Sequence, residues 1–115
     1  YIGKLLYKYK GEMPSKTSVV VKEGTEYICQ SAFDCCEELT RITLPSSLRQ
    51  IHDYAFNGCD NLKEVFCKSL TPPSINSSYN NFHNDVVIYV PKGTGEAYRN
   101  ESSLFENVVE VDFDN

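Results

Sequence analysis

Several things are missing from this 115-residue chain, and each absence removes a class of protein. No apolar run approaches the ~18 residues a membrane-spanning helix needs, and no charged-then-apolar leader opens the sequence. Basic residues are scarce: 11 Lys and Arg stand against 16 Asp and Glu, for a net charge of −5. Residues 1–57 hold seven of each sign, whereas residues 58–115 hold four basic and nine acidic. Neither half offers the basic footprint that a nucleic-acid partner requires. There are only two histidines, and no C-x-x-C, H-x-x-x-H, G-x-x-x-x-G-K or G-x-S-x-G spacing occurs. The five cysteines are odd in number, which leaves at least one thiol outside any disulfide framework. With 41% hydrophobic and 23% charged residues, the composition is that of a folded chain, and its length suits one domain. The first residue is Tyr1 rather than Met, which suggests a processed chain or a piece of a longer one.

What is present is a period. Shifted by 23 residues, Ile28, Ala32, Phe33, Cys36, Leu39, Ile42 and Leu44 fall on Ile51, Ala55, Phe56, Cys59, Leu62, Val65 and Cys67. The strand-like pair recurs backward as Val19/Val21 and forward as Ile88/Val90. Apolar residues two apart give a strand one face of which is buried, and a unit this short cannot bury that face without neighbours. The pattern therefore predicts an α/β solenoid with a parallel sheet of four to five strands and ladders of Ile, Phe and Cys inside. One domain is expected, divided into an N-terminal β cap (1–16), coils of 23 residues (17–91) and a C-terminal cap (92–115).

The ends depart from the period. Leu5, Tyr7 and Tyr9 alternate with Leu6, Lys8 and Lys10 ahead of Gly11, which suggests a hairpin or strand pair. The stretch 71–78 reads as a loop with Ile75, Tyr79 and Phe82 inward. Thr94 is the expected N-cap of a short helix through Ala97, Tyr98 and Leu104, laid over the open sheet edge, with a last strand at 108–111.

The block Leu39-Thr40-Arg41-Ile42-Thr43-Leu44-Pro45 through Ile51, Ala55-Phe56 and Gly58-Cys59 resembles the BspA-like bacterial leucine-rich repeat. The resemblance covers about residues 16–91, and the segment from Ile88 to Phe105 resembles the end of such proteins. It departs at Cys35, where the family favours Gly, and in the third coil, which lacks the Ala-Phe pair. The resemblance implies cell-surface or secreted proteins that engage other macromolecules and share no catalytic activity.

Residues between the inward positions of parallel strands point outward and align in columns. One column is Val20, Thr43, Phe66 and Tyr89; its neighbours are Ser18, Arg41, Glu64, Val87 and Thr17, Thr40, Lys63, Val86. Phe66 and Tyr89 turned to water among Arg41, Thr43, Lys63 and Glu64 form the candidate binding patch, because aromatic and Arg side chains dominate interface hot spots. The expected role is a non-enzymatic extracellular module, a monomer or part of a longer chain, that binds protein or glycan. The alternative is a capping or spacer segment of a longer surface protein. No catalytic residue, cofactor or metal is assigned. Cys29 falls on His52 and Cys36 on Cys59, which leaves a thiol–imidazole pair or a disulfide open as lesser readings. A triad assembled from His52, Asp53 and Ser46 or Ser47 would need a pocket that a short solenoid does not supply.

Overall fold

The structure, a computed structural model, describes residues 5–6, 17–75, 82 and 86–113, with the backbone alone at Leu5, Leu6 and Ser103. The repeated apolar pairs become strands. β1 (Leu5–Leu6), β2 (Thr17–Val20), β3 (Tyr27–Ile28), β4 (Leu39–Leu44) and β5 (Gln50–Ile51) are followed by β6 (Glu64–Cys67), β7 (Ser74–Ile75), β8 (Val87–Pro91) and β9 (Val108–Val111). They form two parallel sheets, one of five strands in the order β2-β4-β6-β8-β9 and one of four short strands in the order β1-β3-β5-β7. From β1 to β8 successive strands alternate between the sheets, so the chain winds as a solenoid of two walls. The larger sheet is the one the period predicts. The smaller was not foreseen, because two-residue strands carry no alternation to read.

The register follows the repeat: Ile28 lies beside Ile51, Ile42 beside Val65, Leu44 beside Cys67, and Val65 beside Ile88. Three departures mark the ends of the stack. A bulge between Thr17 and Ser18 sets Thr17 opposite Leu39, so the outermost expected column does not continue through Thr17. Ile51 pairs with Ile75, one residue later than the period, because the third coil carries an insertion. Val108 sits beside Ile88 at a shorter spacing, in the coil where a helix replaces the usual turns.

Inside, like side chains stack on like. The rings of Phe33 and Phe56 are parallel within 2° at 5.5 Å, and Phe82 continues the column against Phe56 at 5.7 Å. Burying a side chain of this size contributes roughly 1.5–3 kcal/mol. The turns around these rings also stack. Phe33 N donates to Ala55 O at 2.8 Å, and Cys35 N donates to Asn57 O at 2.7 Å. Two left-handed backbone positions recur between the first two coils: Ser31 and Tyr54 occupy one, Cys35 (φ 58°) and Gly58 (φ 77°) the other. Exposed polar side chains tie neighbouring coils, as where Asn57 Nδ2 donates to Asp34 Oδ1 at 3.1 Å and Gly24 N donates to Ser47 Oγ at 2.9 Å.

The C-terminal coil differs in detail from expectation. Helix α1 (Gly95–Glu101) and a 3-10 turn (Ser103–Phe105) connect β8 to β9. β9 pairs with β8, so a fifth strand rather than the helix occupies the edge of the sheet. Thr94 stands at the N-cap position, but its hydroxyl donates to Pro91 O at 2.6 Å and caps nothing. Glu110 of β9 does that work, its Oε2 accepting from Gly95 N at 2.9 Å. Tyr98 and Phe105 are fully buried in an edge-to-face pair at 5.3 Å, and Tyr98 Oη donates to Ser69 O at 2.7 Å. Ala97 is exposed and Leu104 half-buried.

At the other end, Leu5–Leu6 run parallel to β3, while the hairpin expected from Tyr7, Tyr9 and Gly11 lies outside the described residues. In the third coil, Ser74–Ile75 form a strand within what composition marked as loop. Ile75 is buried there and Phe82 half-buried; Tyr79 lies outside the described residues.

Candidate functional site: the outer face of the larger sheet

The register of β4, β6 and β8 sets the outward columns. Thr43 lies beside Phe66 and Phe66 beside Tyr89; Arg41 lies beside Glu64 and Glu64 beside Val87. Strand spacing of ~4.8 Å allows outward side chains on adjacent strands to touch, and here they do. The Phe66 and Tyr89 rings stack at 4.6 Å and 20°. Arg41 Nε donates to Glu64 Oε1 at 2.8 Å, and the guanidinium carbon stands 5.4 Å from the centre of the Phe66 ring. Tyr89 Oη donates to the other Glu64 oxygen at 3.3 Å. Glu64 therefore joins the guanidinium to the phenol.

The ion pair is half open to water, with side-chain exposures of 50% for Arg41 and 31% for Glu64. An exposed pair of this kind contributes ~0–1 kcal/mol of stability. Its larger effect is geometric, because it fixes the guanidinium beside an aromatic platform.

Of the six expected patch residues, Arg41, Glu64, Phe66 and Tyr89 form one connected cluster, with Thr43 beside Phe66 in the register. Lys63 is exposed just ahead of β6, its amide donating to Thr40 O at 2.9 Å. Val86, expected in the same outward column, is buried at 2% exposure and belongs to the core. Phe66 and Tyr89 are half-buried rather than fully turned to water. Part of the reason is Phe113, beyond the end of β9, whose ring stands edge-on to Phe66 at 6.3 Å and 65°. Sequence reasoning missed Phe113. The available signal was alternation: Val109 pairs with Tyr89, so steps of two from Val109 reach Val111 and then Phe113.

Val20 continues the outward column on β2 and is 70% exposed. Away from this face, a concavity of about 560 Å³ lies between the loops 46–49 and 69–72, lined in part by the exposed Leu70. Its three serine hydroxyls already donate to groups of the chain: Ser46 Oγ to Glu23 Oε1 at 2.9 Å, Ser47 Oγ to Thr25 O at 2.8 Å, and Ser69 Oγ to Thr71 O at 2.6 Å. The first two bonds commit the hydroxyl protons of Ser46 and Ser47, the serines considered for a triad, to Glu23 and to the Thr25 carbonyl.

No disulfide joins any of the five cysteines. Cys59 Sγ donates to Phe33 O at 3.0 Å, and burial pushes its thiol up to about 12. Burial alone raises Cys67 to about 12. Cys35 is exposed, and the neighbouring Asp34 carboxylate raises its thiol above the ordinary value. Such thiols are poor nucleophiles, since the thiolate is the reactive form. Cys29 and His52 occupy equivalent positions on adjacent coils. Among the described residues, no group of three His, Cys, Asp or Glu is placed to hold a metal ion.

Parallel coils about 23 residues long, with one strand per coil in a continuous sheet and an apolar ladder behind it, define a leucine-rich-repeat solenoid. The profile of the BspA type leucine-rich repeat region matches residues 6–109 in six copies, and the chain belongs to that family. No curated protein matches it. Leucine-rich repeats are protein-interaction modules and typically non-enzymatic, and BspA-type members are commonly surface or secreted bacterial proteins. No helix among the described residues is long and apolar enough to cross a membrane.

Proposed function

We propose that the chain is a non-enzymatic binding module, displayed on a cell surface or secreted, that holds a protein ligand against the outer face of its larger sheet. Phe66 and Tyr89 supply the apolar platform, and Arg41, Thr43, Lys63 and Glu64 its polar frame. The observation that carries this reading is the stacked Phe66–Tyr89 pair on the outward face, bracketed by a guanidinium and a carboxylate. A fold that needed these rings only for its own stability would place them behind the sheet, as it does Phe33 and Phe56. Stacked rings beside a carboxylate also suit a sugar, so glycan binding is the competing outcome of the same test. The capping or spacer reading finds support in β9, α1 and the 3-10 turn, which complete one end of the stack.

A displayed peptide library selected on the immobilised protein tests the proposal. Binders are expected to compete with one another and to lose all affinity for the Phe66→Ser/Tyr89→Ser variant. Both rings are half-buried, so that variant is expected to lose about 2 kcal/mol of stability or less. If the binders tolerate the double variant, or if it fails to fold, the outer face is not the docking surface.

A further inference from the structure

Of the five cysteines, only Cys36 and Cys59 stand one period apart, and the turns that hold them are copies of each other. Cys36 N donates to Phe33 O and Cys59 N to Phe56 O, both at 3.2 Å. The two turns also touch. Cys59 Sγ reaches into the neighbouring coil and donates at 3.0 Å to Phe33 O, the same oxygen that accepts from Cys36 N. One residue earlier, a Cβ on Gly58 would lie 3.2 Å from Cys35 Cα, so the backbones nest closely enough for the ~5.5 Å Cα spacing of a disulfide. After burial, Cys36 is the largest influence on the Cys59 thiol, through its backbone and through its own sulfur. Cys36 is half-buried and Cys59 only 6% exposed, so the pair has one sulfur that a reagent reaches and one that it does not.

We propose that Cys36 and Cys59 are a disulfide-forming site that closes in an oxidising compartment and staples the first two coils together. From the function proposed above it takes only the surface or secreted setting, where disulfides persist. The oxidant is a small disulfide, RSSR. The Cys36 thiolate attacks one sulfur of RSSR, forming Cys36–S–S–R and expelling one RS⁻. Cys59 then loses its proton, and its thiolate attacks the Cys36 sulfur, forming the bridge and expelling the second RS⁻. The two protons from the cysteines go to the two leaving thiolates, so two protein thiols are oxidised while one RSSR becomes two RSH. Turning Cys59 Sγ away from Phe33 O orphans no carbonyl, because that oxygen keeps the Cys36 amide as donor. The closed loop contains β4 and β5, and the bridge ties the chain just ahead of β4 to the chain just ahead of β6, the strands that set Arg41 beside Glu64.

The test is reaction of the reduced protein with oxidised glutathione at about pH 9, which raises the ionised share of a Cys59 thiol that burial holds at about 12. Mass spectrometry of proteolytic fragments is expected to find the Cys36 and Cys59 segments joined, in the parent and equally in Cys35→Ser, which removes the neighbouring exposed thiol. The melting temperature is expected to rise by about 10 °C, the scale for a closed loop of roughly 23 residues in a domain of this size, and to return on adding a reductant. Cys36→Ser and Cys59→Ser are each expected to abolish both the joined fragments and the rise. Cys36→Ser alters only a half-buried thiol and carries the comparison should Cys59→Ser fold poorly. A product in which Cys36 holds glutathione while Cys59 stays a thiol overturns the site, as does a rise that survives Cys36→Ser. A bridge that leaves the melting temperature unchanged or lower overturns the staple. No ligand enters these measurements, so their failure leaves the outer face standing, and loss of outer-face binding leaves the disulfide standing.

Discussion

Single backbone positions decide how closely the coils nest. Cys35 and Gly58 are equivalent, both left-handed, and the Gly58 Cα faces its neighbour so closely that an added Cβ would lie 3.2 Å from Cys35 Cα. Gly58 therefore meets two demands that no other residue meets together, whereas Cys35 carries a side chain on the same left-handed backbone. A side chain in this region costs of order 1–3 kcal/mol, partly offset by the extra freedom glycine has when unfolded. Cys35→Gly is expected to stabilise the protein by about 0.5–1 kcal/mol, and Gly58→Ala to destabilise it by roughly 1–2 kcal/mol, both read from urea unfolding midpoints. The same exchange shows why the departure of Cys35 from the family pattern is tolerated: its side chain is exposed and needs no room inside.

Elements are joined by a few charged and aromatic contacts that local propensity does not reveal. The carboxylate of Glu110 accepts from the backbone amides of Gly93 and Gly95, with Arg99 and Lys92 nearby, and these hold its pKa below the ordinary 4.5. A group with a lowered folded-state pKa contributes stability at all pH values above the ordinary one and loses it as pH falls through the lowered value. Glu110→Gln is accordingly expected to melt below the parent at pH 7, with the two melting temperatures converging as pH falls below the ordinary 4.5 and through the lowered value. A constant difference across that range would mean that the contact acts through packing alone. Glu110 was not legible in the sequence, because an acidic residue in a terminal strand reads as a solvated face while Thr94 has the form of a cap. The inward residues Ile42, Val65 and Ile88 were legible, since two periods, of 2 and of 23, agree at each. Ser74–Ile75 were hidden by the prolines and serines around them, and by an insertion that breaks register only in the third coil. The candidate patch followed from column alignment, but Phe113 did not, because its position depends on how the chain leaves β9.

For the molecule as a whole, stability is shared between adjacent coils. Phe56 contacts Phe33 on one side and Phe82 on the other, so its ring belongs to two interfaces at once. Phe56→Ala is expected to cost about 3–5 kcal/mol, a large part of the ~5–15 kcal/mol that holds a domain together. Amide exchange should show the loss centred on β3 to β7 and weaker in β9. Uniform loss across all strands would instead indicate a single cooperative block with no coil-by-coil structure. The larger sheet needs this interior to present its outer face, because Arg41, Phe66 and Tyr89 keep their spacing only while the strands beneath them stay in register.

The 23-residue separation between bonded partners recurs from Gly24–Ser47 to Arg41–Glu64 to Asp34–Asn57. A tether drawn taut between the two ends would load these layers in series, each clasped only to the ones above and below. Yielding would proceed by unspooling, every step paying out about 80 Å of slack and leaving the remaining windings able to bear tension.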